Sequence, residues 1–161
     1  MPILTQIAHH YRRQLERYEN LAALTQDLLP LAENAAETVE AIGTIIARRQ
    51  QLLDEIEAAR VKATSLWQAL EKELGFMPQP LELPDIFSAK AAAEIAAMHE
   101  KIETIVRQVM DGDAKVQAAL SASIKQVQKT MQSMHQERQA ARSYTAAQKQ
   151  SQGIFLDSKK F

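Results

Sequence analysis

The apolar residues of this chain recur every three to four positions over most of its length, which is the period of a helix buried on one face. The first such repeat runs from Ile7 to Leu28 and predicts a helix over about residues 3–31. Pro30 has no backbone N–H and crowds the preceding turn, so we expect this helix to end or kink near Leu29.

A second and longer repeat predicts a helix over residues 35–74, with its apolar positions close to the 3.5-residue period of a coiled coil. Gly43 costs about 1 kcal/mol relative to alanine inside such a helix and indicates a close helix contact. Gly75 is placed to end the helix in a left-handed conformation.

Residues 75–85 form a connector that carries three prolines, and we expect it to be extended and semi-rigid. A connector without a packing role would be more polar than this one. We therefore expect four of the apolar side chains here to lie against the end of the bundle: Leu81, Leu83, Ile86 and Phe87.

The third repeat predicts a helix over residues 86–152, but Asp111, Gly112 and Asp113 interrupt it with a turn signal. A hairpin at Gly112 would give four helices. The apolar stripe nevertheless crosses the interruption with one additional step of four residues, which is typical of a continuous helix, so we favour three long helices. The predicted fold is all-α, an elongated antiparallel helical bundle or coiled coil forming one domain over residues 1–152, with a tail at 153–161 that begins at a helix stop, Gly153.

The lengths of these helices leave part of the last one without an intrachain partner. A continuous helix over residues 89–152 would be about 95 Å long, against about 60 Å for the second helix. The antiparallel second helix would therefore run out opposite roughly residue 125. An uncovered apolar stripe of this length predicts a partner. The residues that we expect to bind it are Val127, Met131, Met134, Arg138, Ala141, Arg142 and Tyr144.

Composition agrees with a foldable helical protein and narrows its chemistry. The chain is 46% hydrophobic and 24% charged, and it has no cysteine. Its four glycines are scattered and form no phosphate-binding loop, and no histidine is preceded three residues earlier by the glutamate of a di-iron motif. We expect no enzyme activity, cofactor or metal. The histidines are expected at the surface, and Tyr11, Tyr18 and Trp67 are expected to be packing residues.

Charge is unevenly distributed along the chain, whose net charge is −1. From Ala114 onward eight Lys or Arg residues face two acidic ones, a balance of +6, so the preceding part carries −7. The basic end either pairs with the acidic helices of its own bundle or attracts an acidic partner. The cations are sparse and aromatic residues rare, so we expect no nucleic-acid binding. No stretch has the roughly 18 to 20 apolar residues of a membrane span and no signal peptide is recognisable, so we expect a cytoplasmic protein.

Two segments resemble a known family. Residues 46–56, Ile-Ala-Arg-Arg-Gln-Gln-Leu-Leu-Asp-Glu-Ile, resemble the corresponding stretch of FlgN/FliT-type flagellar export chaperones. The ending Gly-Ile-Phe-Leu-Asp-Ser-Lys-Lys at residues 153–160 is similar to the ending of those proteins, and between the two segments Asp111, Arg142 and Tyr144 follow the family's order.

The resemblance implies a small cytosolic helical chaperone of flagellar type III export. Such a protein would bind the C-terminal helical segments of hook-associated or filament-cap substrates through its own C-terminal amphipathic helix, and would deliver them to the export apparatus. The alternative is a structural coiled-coil scaffold in which the same stripe forms a permanent homodimer.

Overall fold

The computed structural model describes the backbone of residues 1–157 and the side chains of residues 1–149. The all-α prediction is confirmed, and the described residues contain no strand. Three long helices dominate: α1 (Pro2–Glu33), α2 (Ala35–Leu74) and α4 (Lys90–Asp157). The connector between α2 and α4 holds a 3₁₀ turn (Pro80–Glu82) and the one-turn helix α3 (Leu83–Ile86).

The reversal between α1 and α2 is very short. α1 passes Pro30 and ends at Glu33 rather than near Leu29, since buried Leu28 and Ala32 hold its last turn in the core. The reversal is secured by the Thr38 hydroxyl, which lies 2.7 Å from the carbonyl oxygen of Leu31 and donates to it.

Three apolar clusters in the unit Met1–Leu120 define how its helices run. The first cluster joins Leu4 and Ile7 of α1 to Leu70 of α2 and to Ala92 and Ile95 of α4. In the next two clusters, successive residues of α1 meet later residues of α4 but earlier residues of α2. In the second cluster Leu21 meets Val109 of α4 and Leu52 and Ile56 of α2. In the third cluster Leu28 meets Val116 of α4 and Ile42 of α2. α1 and α4 are therefore parallel in this unit, and α2 is antiparallel to both.

α4 runs through Gly112 as one helix, and the structure gives this glycine a packing role instead of a turn. A Cβ atom at position 112 would lie 2.6 Å from Cγ2 of Thr25 in α1, far inside van der Waals contact. Gly112 thus lets α1 and α4 approach closely. The close contact expected at Gly43 is wrong, because beyond the local backbone of its own helix no described atom lies within 4 Å of the position that a Cβ would take there.

The connector departs from the extended path that its prolines predict. Pro80 and Pro84 occupy the first or second positions of the 3₁₀ turn and of α3, where the missing N–H would have no partner in any case. Leu83 is fully buried and Phe87 packs against the first cluster, as expected. The expectation is wrong for Leu81, which is 46% exposed, and for Ile86, which is also exposed. Gly75 ends α2 with a φ of 79°, which confirms the left-handed stop.

The chain divides into two units, Met1–Leu120 and Ser121–Phe161. In the second unit α4 remains helical to Asp157, so the helix stop predicted at Gly153 is wrong. A glycine inside a helix costs only about 1 kcal/mol relative to alanine, which is not enough by itself to end one. The end of the predicted tail, residues 158–161, lies outside the described residues.

Candidate partner-binding surface

The part of α4 that follows Leu120 is a helix with exposed apolar side chains. Among them Met131 is 65% exposed and Met134 48% exposed. Every residue that the sequence singled out for partner binding is exposed: Val127, Met131, Met134, Arg138, Ala141, Arg142 and Tyr144. Ile124, which precedes them on the same stripe, is 56% exposed.

The same stripe is buried earlier in the helix. Ile95, Val109 and Val116 belong to it and lie in the three apolar clusters of the unit Met1–Leu120, where Val116 is only 7% exposed. From Ile124 onward the spacing continues, but none of the described side chains is buried. The periodicity is therefore a single pattern, and among the described residues only its first part is buried.

Helical geometry decides which exposed side chains share one face. At about 100° per residue, most of the candidates lie within about 60° of a common line. These residues define the α4 face: Ile124, Val127, Met131, Met134, Arg138, Ala141 and Arg142. Tyr144 lies about 120° from that line, on the flank that also carries Glu137. Because Tyr144 follows Ala141 by three residues, the sequence suggested that it lies on the stripe. In a regular helix it lies on the flank of that face instead.

The basic residues of the α4 face lack the acidic partners that others have in the first unit. Arg49 of α2 is held by Asp113 of α4 with a nitrogen-to-oxygen distance of 2.6 Å, and Arg12 of α1 pairs with Glu94. Among residues with described side chains, no ion pair joins Arg138 or Arg142 to an acid.

A groove between α1, α2 and α4 in the unit Met1–Leu120 is a second candidate site. It has a volume of about 540 Å³, and Tyr11, Tyr18, Trp67 and His99 are among its lining residues. The Tyr11 ring lies edge-on to Trp67, with 6.5 Å between ring centroids, and is 6.1 Å from the His99 ring. Burial of its hydroxyl raises the pKa of Tyr11 to about 12.

The side chains of this groove are engaged with one another, as packing residues are. Tyr11 and Trp67 also contact the first apolar cluster. Gln14 is buried and donates from Nε2 to the carbonyl oxygen of Ile56 at 3.1 Å, while its Oε1 has no hydrogen-bond partner among the described residues. The packing role predicted for the aromatic residues therefore agrees with their contacts.

Two histidines are less exposed than the sequence suggested. His10 and His99 are half-buried beside Tyr11, and burial is the main cause that lowers the pKa of His10. His99 also lies 3.4 Å from a carboxylate oxygen of Glu103 one turn later. The partial burial of His99 could have been predicted from its position, because it directly follows Met98 on the buried stripe of α4. Gln14 carried no such signal, because glutamine is common on exposed helical faces.

The described part of the chain contains neither a candidate metal-binding cluster nor a candidate membrane-spanning helix. Its His, Asp and Glu residues form no group of three that could hold a metal ion. Within the same residues, no helix is both long and apolar enough to cross a bilayer.

An all-α protein that exposes a long apolar and basic helical face is typical of the class that binds other proteins by helix packing. The sequence matches the family model described as FlgN protein over residues 1–152, so the chain belongs to the FlgN family of flagellar export chaperones. No curated protein and no solved structure matches the chain significantly.

Proposed function

We propose that this protein is a cytoplasmic chaperone of flagellar type III export that binds the C-terminal helical segments of hook-associated or filament-cap proteins on the α4 face. Membership of the FlgN family supports the chaperone role. The observation that carries the site is the exposure of α4 from Ile124 to Arg142, where a stripe that is buried earlier in the same helix has no cover among the described residues.

The side chains of the α4 face suit a client that must be bound and later released. Val127, Met131 and Met134 are the apolar anchors. Methionine is unbranched and flexible, so it adapts to different neighbours and packs less tightly than leucine. Arg138 and Arg142 act as polar selectors, since their guanidinium groups discriminate between partners by charge. Bound in this way, an amphipathic client helix would keep its own apolar face out of water.

A single substitution tests the site. Met131→Asp places a charge in the middle of the apolar part of the α4 face, where a bound helix would have to desolvate it. We expect the variant to lose co-purification with the C-terminal segment of a hook-associated protein. Unchanged binding would contradict the assignment of the site.

The matched control is Gln136→Asp, which adds the same charge to the same helix. Position 136 lies about 170° around the helix from the centre of the α4 face and is exposed. Binding should be retained in this variant. If both substitutions abolish binding, the loss reflects the added charge or a damaged helix, not contact at the α4 face.

A further inference from the structure

We infer that the α4 face has an apolar half followed by a basic half. Its partner is then an amphipathic helix whose contacting face is apolar in one half of its length and acidic in the other. This inference rests on the proposed function, because it specifies the chemistry of the partner that binds the same face. It follows from the order of the apolar and basic residues along the helix.

The large apolar residues and the basic residues of the α4 face occupy different stretches, and only the small Ala141 lies among the basic ones. Ile124, Val127, Met131 and Met134 form its first half and span about 15 Å at 1.5 Å per residue. Arg138, Arg142 and Lys149 lie within about 40° of the same line and span a further 16 Å or so. We call these stretches the apolar half and the basic half.

The cations of this part of α4 are not spread evenly around the helix. Residues 121–149 contain five Lys or Arg against one acidic residue, Glu137. Lys125 and Lys129, the two cations beside the apolar half, lie about 140° and 180° away from the centre of the α4 face. All three cations that share the face of the apolar half therefore follow it along the helix.

The charges of the basic half are available to a partner. Arg138, Arg142 and Lys149 are exposed, and none of them forms an ion pair with another residue whose side chain is described. Glu137 lies on the flank, about 100° from the centre of the face. Among the described side chains no carboxylate neutralises the basic half, which is therefore open to one from another molecule.

A second copy of this chain is a poor occupant of the α4 face. In a parallel pair, the basic half of one copy would meet the basic half of the other. In an antiparallel pair, it would meet the apolar half. Both arrangements leave Arg138, Arg142 and Lys149 without an opposite charge, and like charges across a helical seam disfavour association. Charge complementarity instead selects a different helix that is apolar in one half and acidic in the other.

The test uses the full chain and synthetic helical peptides of about 26 residues, the length needed to span residues 124–149. One half of each peptide carries leucines at helical spacing, and the other half carries glutamates at that spacing. A second set replaces the glutamates by lysines. Each set is made with the charged half first and with it last, so that both orientations are offered, and binding is followed by fluorescence anisotropy of the labelled peptide.

We expect the glutamate peptide, in its better orientation, to bind roughly tenfold more tightly than the lysine peptide, since a few partly exposed ion pairs would together give an effect of that size. The double variant Arg138→Glu/Arg142→Glu should reverse this preference. The matched control Lys125→Glu/Lys129→Glu changes the net charge equally on the opposite side of the helix and should preserve it. Equal binding of both peptides, or equal loss of preference in both double variants, would overturn the inference.

Two further outcomes separate this inference from the proposed function. If Arg138→Glu/Arg142→Glu still co-purifies with the hook-associated segment while Met131→Asp does not, the chaperone site stands and the acidic partner is wrong. If Met131→Asp has no effect on that co-purification, the proposed site itself fails. Light scattering that shows a wild-type dimer, converted to a monomer by Met131→Asp, would identify the occupant as a second copy and overturn the inference.

Discussion

Gly112 shows how the absence of one methyl group sets the distance between two helices. Its missing Cβ leaves room for Cγ2 of Thr25, whose hydroxyl donates to the carbonyl oxygen of Leu21 at 2.9 Å. That hydrogen bond and the stiffness of a β-branched side chain keep the Thr25 methyl group in place. The close approach of α1 and α4 therefore depends on this pair of residues.

We expect Gly112→Ala to destabilise the protein. Overpacking against Thr25 costs about 1–3 kcal/mol, and the better helix propensity of alanine returns about 1 kcal/mol of this. The net effect should be a loss of up to about 2 kcal/mol in the free energy of unfolding, measured by urea denaturation. Thr25→Ser removes the obstructing methyl group but keeps a hydroxyl, so the double variant should recover most of the loss.

Gly43→Ala is the control for helix propensity alone, since its Cβ would meet no described atom within 4 Å beyond the local backbone of its own helix. It should stabilise the protein by about 0.5–1 kcal/mol. A Gly112→Ala variant that is stabilised as much as Gly43→Ala, or a double variant no better than the single one, would show that Thr25 does not limit the helix spacing.

Tyr11 predicts a dependence of stability on alkaline pH. Burial raises the pKa of its hydroxyl from 10.0 to about 12. Between these values the unfolded chain has lost the proton while the folded protein keeps it, so the free energy of unfolding falls as pH rises. Denaturation titrations from pH 9 to about pH 12 should show a shallower decline in Tyr11→Phe than in the wild type. An identical decline would mean that Tyr11 is well hydrated in the folded protein.

At the scale of the element, the connector between α2 and α4 contributes to stability through one leucine. Leu83 is fully buried in the first apolar cluster, whereas Leu81, two residues earlier, is 46% exposed. Leu83→Ala should lower the free energy of unfolding by about 2–5 kcal/mol, because it removes core contacts and leaves a cavity. Leu81→Ala should change it by no more than about 0.5 kcal/mol. Similar losses in both variants would contradict the asymmetric burial.

The long helices were predictable because a repeat of three to four residues extends over many turns, and local errors do not erase it. The connector was less predictable, since proline disfavours the interior of a helix but is well accommodated in its first turn. Pro80 and Pro84 could be assigned to such positions only once the turns that contain them were known. Gly112 was ambiguous for a similar reason, because Asp-Gly is compatible with both a turn and a close helix contact.

The candidate site was predictable to the extent that it depends on one helix. The exposed residues from Val127 to Arg142 follow from the lengths of α2 and α4 and from the periodicity of α4 alone. The groove around Tyr11 and Trp67 combines residues from three helices, and the buried Gln14 within it has no local pattern. Sites of that kind require knowledge of which helices are neighbours, and a single sequence does not supply it.

At the scale of the whole molecule, the two units of the chain differ in the burial and ion pairing of their described side chains. The unit Met1–Leu120 contains the three apolar clusters and the ion pairs that link its helices, such as Arg49 with Asp113. In the unit Ser121–Phe161, the described side chains include no buried one. This division supports a chaperone in which one part supplies stability and the other supplies the binding surface.

The most direct test of this division is hydrogen exchange of the full chain with and without the C-terminal segment of a hook-associated protein. Amide exchange slows where a bound partner stabilises a helix that otherwise opens readily. We predict that the segment slows exchange in residues 121–149 and leaves α1 and α2 nearly unchanged. If the segment slows exchange in the groove around Tyr11 and Trp67 but leaves exchange in residues 121–149 unchanged, the account is contradicted.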